Sequence, residues 1–155
     1  MRGIKKIPQR KIAPDPKFDD VRLGKFINYV MERGKKSVAQ QIVYSAFELI
    51  SDKTKNDPLE IFDQAIKNIA PAVEVRGRRI GGANYQIPVV VSGERKLILA
   101  FRWLLNVARS KKGKPMAEKL ASELMLAAKG EGDAIKKRDD VHRMAEANKA
   151  FAHFA

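Results

Sequence analysis

Near residue 72 the hydrophobic period of this chain drops from about 3.6 to 2, and past residue 92 it changes back. A pattern written for a helix does not sit as a strand, so the chain must be helical with one short β insertion. Val73 and Val75, then Tyr85, Ile87, Val89 and Val91 beyond Gly81-Gly82, all fall on odd positions. Such alternation on both sides of a Gly pair predicts a β-hairpin over 72–91. Pro88 is compatible, because both strands of a two-stranded ribbon are edges. Arms of this length would reach roughly 30 Å. Two strands alone are marginal in water. The apolar base should therefore pack on a body, while Arg76, Arg78 and Arg79 crowd a projecting end.

The helices around it have legible boundaries. From Asp19/Asp20 to Arg33, Leu23, Phe26, Ile27, Val30 and Met31 follow the i, i+3, i+4, i+7, i+8 pattern, with Gly34 as the stop. A second helix is expected from Lys36 to Lys53, with Val38, Ile42, Val43, Ala46, Leu49 and Ile50 inward. The third has an Asp57 N-cap, Pro58 in first place and Glu60 completing a capping-box pattern. Its stripe is Leu59, Phe62, Ile66 and Ile69, and Pro71 ends it. A fourth helix runs from Ser92 to Arg109 with Leu97, Ile98, Phe101, Leu104, Leu105 and Ala108 on one side. Pro115 opens a fifth, through Leu120, Leu124 and Ala128 to Gly130. Asp133 can cap a sixth, from Ala134 to about Lys149, whose thin apolar arc (Ala134, Val141, Ala145) suits the periphery. The fold class expected is mainly α: a six-helix single domain with a protruding two-stranded antiparallel β-hairpin between helices three and four. Residues 1–17, with prolines at 8, 14 and 16 and no period, are expected to be a basic extended tail, mobile when alone, ahead of a domain over 18–155.

Charge says what such a domain meets. The chain carries 31 Lys+Arg against 18 Asp+Glu, and the excess is segregated. Residues 1–14 hold five bases and no acid, 15–71 hold nine of each, and 72–114 hold ten bases against two acids. A merely soluble surface intersperses its signs. Confinement to two segments is the footprint of a polyanion, and nucleic acid is preferred over lipid because no basic amphipathic helix stands ready to lie on a membrane. No apolar run approaches the ~20 residues of a bilayer span. The basic start has no apolar region behind it, so it is not expected to be a secretory signal. Absence of cysteine removes disulfides, thiolate metal sites and cysteine nucleophiles, and fits a soluble protein of a reducing compartment.

Catalysis finds no support. His142 and His153 both lie in the polar, Ala-rich C-terminal stretch, and no HExxH, GxSxG or GxxxxGK[ST] occurs. Gly130-Glu131-Gly132 is a helix-ending turn rather than a dinucleotide loop. Asp139 and Asp140 are adjacent on a helix and point about 100° apart, so they do not converge as an acid/base pair. No enzyme activity, cofactor or metal is expected.

Four surfaces can meet RNA. The tail offers Arg2, Lys5, Lys6, Arg10 and Lys11, with a solubilising tail as the bland alternative. The hairpin end offers Arg76, Arg78 and Arg79, whose planar forks bind phosphate and stack on bases. Helix four offers Arg95, Arg102 and Arg109 at seven-residue spacing, drifting only ~20° per step, followed by Lys111, Lys112 and Lys114. Trp103 either stacks on a base beside these groups or covers a neighbouring segment. The fourth surface is Lys35-Lys36 with Lys136-Lys137-Arg138, clusters that elsewhere are usually solvated faces. A DNA-binding helix-turn-helix in helices four and five is the main competitor. Against it, Pro115, Met116, Ala117 and Glu118 are the wrong opening for a recognition helix.

Several stretches resemble one family across nearly the whole chain: Gln9-Arg10-Lys11 with Pro14-Asp15-Pro16-Lys17-Phe18, then Gly34-Lys35-Lys36-Ser37. Val73-Glu74-Val75, Arg78-Arg79, Gly81-Gly82, Tyr85-Gln86, Pro88-Val89 and Arg102-Trp103 follow in order. Lys136-Lys137-Arg138 and the run Asp140-Val141-His142-Arg143-Met144-Ala145-Glu146-Ala147-Asn148-Lys149-Ala150-Phe151 are the most specific. Together they are similar to the universal small-subunit ribosomal protein family numbered seven, in its bacterial or organellar form. That resemblance implies a helical body with a β-arm that binds the 3′ major domain of small-subunit ribosomal RNA and nucleates assembly of the head. It implies a place at the subunit interface, near the exit-site transfer RNA and the messenger path, beside small-subunit proteins nine and eleven. It implies a cytoplasmic ribosome, with an organellar one open. By position it also implies RNA contacts at Arg10, Lys11, Lys35, Lys36, Arg76, Arg78, Arg79, Arg95, Arg102 and Arg143.

Overall fold

Phenylalanines on four separate amphipathic stretches give the core its centre. A computed structural model describes residues 12–154. Among them are six α-helices: α1 Val21–Val30, α2 Lys36–Thr54, α3 Pro58–Ile69, α4 Gly93–Ser110, α5 Met116–Ala128 and α6 Asp133–Ala147. A two-stranded antiparallel sheet, β1 Val73–Ile80 and β2 Ala83–Val90, lies between α3 and α4, and a 3-10 helix spans Lys149–Phe154. The expected mainly α architecture with one inserted hairpin is the one found.

Phe26 of α1, Phe47 of α2, Phe62 of α3 and Phe101 of α4 meet at ring-centroid distances of 5.0 to 6.2 Å, all fully buried. Tilted aromatic contacts of this kind add to what area burial alone supplies. Leu120, Ala121, Leu124 and Ala127 of α5 close the core against α2, α3 and α4. Asp57 caps α3 as expected, its carboxylate accepting from the Leu59 amide at 2.9 Å.

One boundary and one helix face differ from the periodic expectation. Helix α1 stops at Val30, with Met31 already extended (ψ +133°), ahead of Arg33 and Gly34, which take left-handed backbone (φ +51° and +74°) in the turn to α2. Helix α2 turns Val38 outward and buries Ala39 and Phe47 in its place. Of the tail expected over 1–17, residues 1–11 lie outside the described residues, and within the rest Asp15 is buried and fixed. Its carboxylate accepts from the Lys17 and Phe18 amides at 3.1 Å each and from the Tyr44 hydroxyl at 2.7 Å. The backbone at Ala13 passes so close over α1 that a Cβ on Gly24 would stand 2.7 Å from its carbonyl oxygen. A strap from about residue 13 is thus part of the body.

The hairpin pairs Val73 with Val90 through to Ile80 with Ala83. Gly81 and Gly82 carry positive φ (+56° and +89°), as the two-residue turn that matches strand twist requires. A two-residue turn also flips parity, so odd positions of β1 face even positions of β2. Val73 and Val75 therefore share a face with Pro88 and Val90. The other face carries Glu74, Arg76 and Arg78 with Tyr85, Ile87 and Val89, and it holds the buried pair Glu74 and Ile87. Odd positions thus share one face within each strand and lie on opposite faces across the turn.

Helix α6 keeps a thin buried arc of Ala134, Ile135 and Ala145, yet it braces both body and arm. Arg138 donates to the Asn68 carbonyl at the end of α3 (2.5 Å). Nε2 of His142 accepts from the Ala72 amide at the foot of the arm (3.1 Å), a structural use for that histidine.

Candidate nucleic-acid interface

Long arginine and lysine side chains can address a polyanion only if nearby carboxylates have not already claimed them. The partners of each basic group therefore decide what the surface can do. Lys5, Lys6, Arg10 and Lys11 lie outside the described residues.

At the foot of the arm, Glu74 is a fixture for two arginines. Its Oε1 accepts from Arg76 Nε at 2.7 Å, and its Oε2 from Arg95 Nε and Nη2 at 3.2 and 3.1 Å. Burial pushes this carboxyl up, but the hydrogen bonds and charge of Arg76 and Arg95 outweigh burial and hold it below the ordinary carboxylate value. Strand β1 is thereby riveted to the first turn of α4. Further along, Arg78 donates to the Phe154 carbonyl at 2.5 Å, and its cross-strand partner Tyr85 packs 5.1 Å from Phe151 and 6.0 Å from Phe154. The arm is consequently clad by the C-terminal 3-10 helix along much of one face. The end around Arg79, Gly81, Gly82 and Asn84 is exposed on both strands.

The three arginines of α4 have unequal fates. Arg95 is held by Glu74, and Arg109 reaches Glu32 at 3.1 Å and the Val30 carbonyl at 3.4 Å. Arg102, between them, is exposed and has no carboxylate partner among the described residues. The expected ruler is pinned at its ends and open at its middle. Trp103 is half-buried against the core and lines the groove between α4 and α6 where Asn106, Lys136, Lys137 and Asp140 also lie.

In the loop after α4, Lys111 binds the fully buried Glu123 of α5, whereas Lys112 and Lys114 are exposed without a carboxylate among the described residues. On α6, Lys136 pairs with Asp133 at 3.0 Å and Arg143 with Asp140 at 3.4 Å, both well exposed, while Lys137 is unpaired among the described residues. The Lys136 ammonium, by hydrogen bond and charge, holds the Asp133 carboxyl below its ordinary value. Exposed pairs of this kind contribute at most about 1 kcal/mol, so a phosphate can displace them. Lys35 and Lys36, at the α1–α2 turn beside Arg33, are exposed and unpaired among the described residues.

Across 72–114 the two acids are spoken for, Glu74 by Arg76 and Arg95 and Glu94 by Lys25 at 3.0 Å. Arg78, Arg79, Lys96, Arg102, Lys112 and Lys114 are left with no carboxylate among the described residues. That surplus can attract phosphates but has no means of bond-making. The described residues contain no group of three or more His, Cys, Asp or Glu able to hold a metal. No helix among them is long and apolar enough to cross a membrane. Sequence reasoning missed the buried acids Asp15, Glu74 and Glu123. Glu123 could have been found, since it sits three residues after Leu120 and four before Ala127, on the buried stripe of α5.

Comparison with known proteins agrees in kind. The model of the family described as ribosomal protein S7p/S5e matches residues 2–149. A small ribosomal subunit protein uS7 of Thermosipho africanus is 61% identical over 145 residues, 94% of each chain. Those of Methylibium petroleiphilum and Thermotoga maritima are 55% identical over 150 residues (97% of this chain, 96% of the relative) and 57% over 146 residues (94% of each).

Proposed function

Because the chain belongs to the ribosomal protein S7p/S5e family, whose members are structural, non-enzymatic parts of the small ribosomal subunit, we propose that it binds the 3′ major domain of small-subunit ribosomal RNA directly and nucleates assembly of the head. The observation that carries this is the uncompensated base content of 72–114, set on a rigid helical body and joined in sequence to an acid-free basic leader over 1–14. A rigid body with two basic segments recognises folded RNA by shape and phosphate position rather than by base edges. In this role Arg79, Arg102, Lys112, Lys114, Lys137, Lys35 and Lys36 contact phosphate directly. Lys136 and Arg143 join them by exchanging an exposed carboxylate for a phosphate. Arg76, Arg95 and Arg109 orient the arm and α4, and Arg78 holds the arm to the C-terminal helix. The arm and the C-terminal segment then lie by the exit-site transfer RNA and messenger path, with ribosomal proteins nine and eleven as neighbours.

Chemical footprinting on whole small-subunit ribosomal RNA tests the proposal. Protection of one compact junction within the 3′ major domain is expected. Equal protection of many unrelated RNAs would indicate a general RNA chaperone, and tighter binding to duplex DNA would indicate a DNA-binding protein. Either result overturns it.

A further inference from the structure

Three separate segments converge on one carboxylate at the edge of the body. Glu123, in the middle of α5, is fully buried, and both of its oxygens are used. Oε1 accepts the Ala134 amide of α6 at 2.9 Å, and Oε2 receives the ammonium of Lys111, the first residue after α4. The turn between α5 and α6 is pressed onto the same group. Gly132 has φ +97°, and a Cβ there would stand 2.8 Å from Glu123 Oε1. A buried carboxylate stripped of its only cation is strongly disfavoured, so Lys111 cannot leave Glu123 for a phosphate as the exposed pairs can.

Resting on the ribosomal-RNA reading, we propose that Lys111 and Glu123 are positioning residues for RNA binding. They dock the loop that carries Lys112 and Lys114 beside the start of α6, which carries Lys137, and so present these three ammonium groups as one preformed edge. Lys111, although it stands in the most basic loop of the chain, contributes geometry and no phosphate contact. Lys112, Gly113 and Lys114 continue from it outward, with Gly113 in left-handed backbone (φ +82°) reversing the chain so that both lysines stay exposed.

Salt titration of binding to a transcript of the bacterial 3′ major domain separates geometry from charge. In the double variant Lys111→Met with Glu123→Gln, the glutamine keeps an acceptor for the Ala134 amide while both charges go. Affinity at fixed salt is expected to fall about five- to thirty-fold through lost preorganisation of two lysines. Its log K against log salt slope should match the parent. The Lys112→Gln with Lys114→Gln variant should instead lower the slope by about 1.4–1.8. A slope lowered by about one in the first variant, or an unchanged affinity, overturns the proposal.

A measurement on the unaltered chain does not depend on variants folding. With an amine-acetylating reagent and mass-spectrometric readout, Lys111 of the free protein should react several-fold more slowly than Lys112 and Lys114. Added RNA should shield the latter two and leave Lys111 unchanged. Equal reactivity in the free protein, or shielding of Lys111 by RNA, also overturns it. Failure of the parent chain to prefer this RNA would sink the ribosomal-RNA reading, whereas the acetylation contrast in the free protein stands or falls by itself.

Discussion

Residues 15–71 and 72–114 hold nearly equal numbers of basic groups, nine and ten, yet the two regions use their acids differently. In the first, nine acids match nine bases, and surface pairs such as Arg22–Asp63 (2.7 Å) and Lys17–Glu48 (3.3 Å) leave the segment neutral. In the second, Glu74 is spent on joining the arm to α4 and Glu94 on Lys25, and six of the ten bases are left with no carboxylate among the described residues. A helical body must be insensitive to salt to serve as a platform. An RNA-facing surface needs net charge, and its few carboxylates earn a place only by fixing geometry.

The largest expected effect lies in the first region. Phe62→Ala empties the centre of the aromatic cluster and should cost about 3–5 kcal/mol in chemical denaturation. A cost below about 1 kcal/mol would mean that the body is not organised around that cluster.

Next comes Glu74→Gln, expected to cost about 1–3 kcal/mol because two arginines lose a charged, largely buried acceptor. The sign of its pH dependence follows from its lowered carboxyl. The stability it contributes is present above the ordinary carboxylate value and is lost as pH falls through the folded one. Denaturation at pH 7 and at pH 3 should therefore differ less in the variant than in the parent. An equal difference would show that the rivet is not charged as described.

Tyr44→Phe should cost about 1 kcal/mol by removing one donor from buried Asp15. Burial pushes the Tyr44 hydroxyl up, with the Asp15 hydrogen bond and charge adding to it, to about 12 from 10.0. Its raised value means that its stabilisation is whole below 10.0 and drains as pH climbs toward about 12. Tyrosinate absorbance should show one late-titrating phenol, which the variant lacks. If no phenol of the parent titrates late, the strap is not held as described. The smallest stability effect belongs to Arg79→Gln at the exposed end of the arm, within about 0.5 kcal/mol of the parent. The same change should lower the salt slope of RNA binding by roughly 0.7–0.9.

Much of this was legible because period and capping are local. Asp57-Pro58 marked the start of α3, and Gly81-Gly82 between alternating strands marked the arm. Register was harder. The alternation was visible, but the parity flip of a two-residue turn put Glu74, not Val73 or Val75, on the face with buried Ile87. Buried acids were hardest, because a carboxylate in a sequence reads as solvent-facing until its partners, 21 residues away for Arg95 and 12 for Lys111, are brought beside it. The same long-range pairing divides the candidate bases. Arg102, Lys112 and Arg79 stay open to a ligand, while Arg76, Arg95, Arg109 and Lys111 are occupied by the protein itself. Spacing along the chain cannot make that division.

The contrast between the two regions is tested most directly by paired charge neutralisation. One variant changes Arg79, Arg102, Lys112 and Lys114 to Gln, and the other changes Lys17, Arg22, Lys53 and Lys67. Binding of both to the 3′ major domain transcript is measured as log K against log salt. The first should lose about 3 from the parent's slope and the second almost nothing. Equal losses would show that RNA sees 15–71 outside the Lys35-Lys36 turn as it sees 72–114, contradicting the division of labour between them.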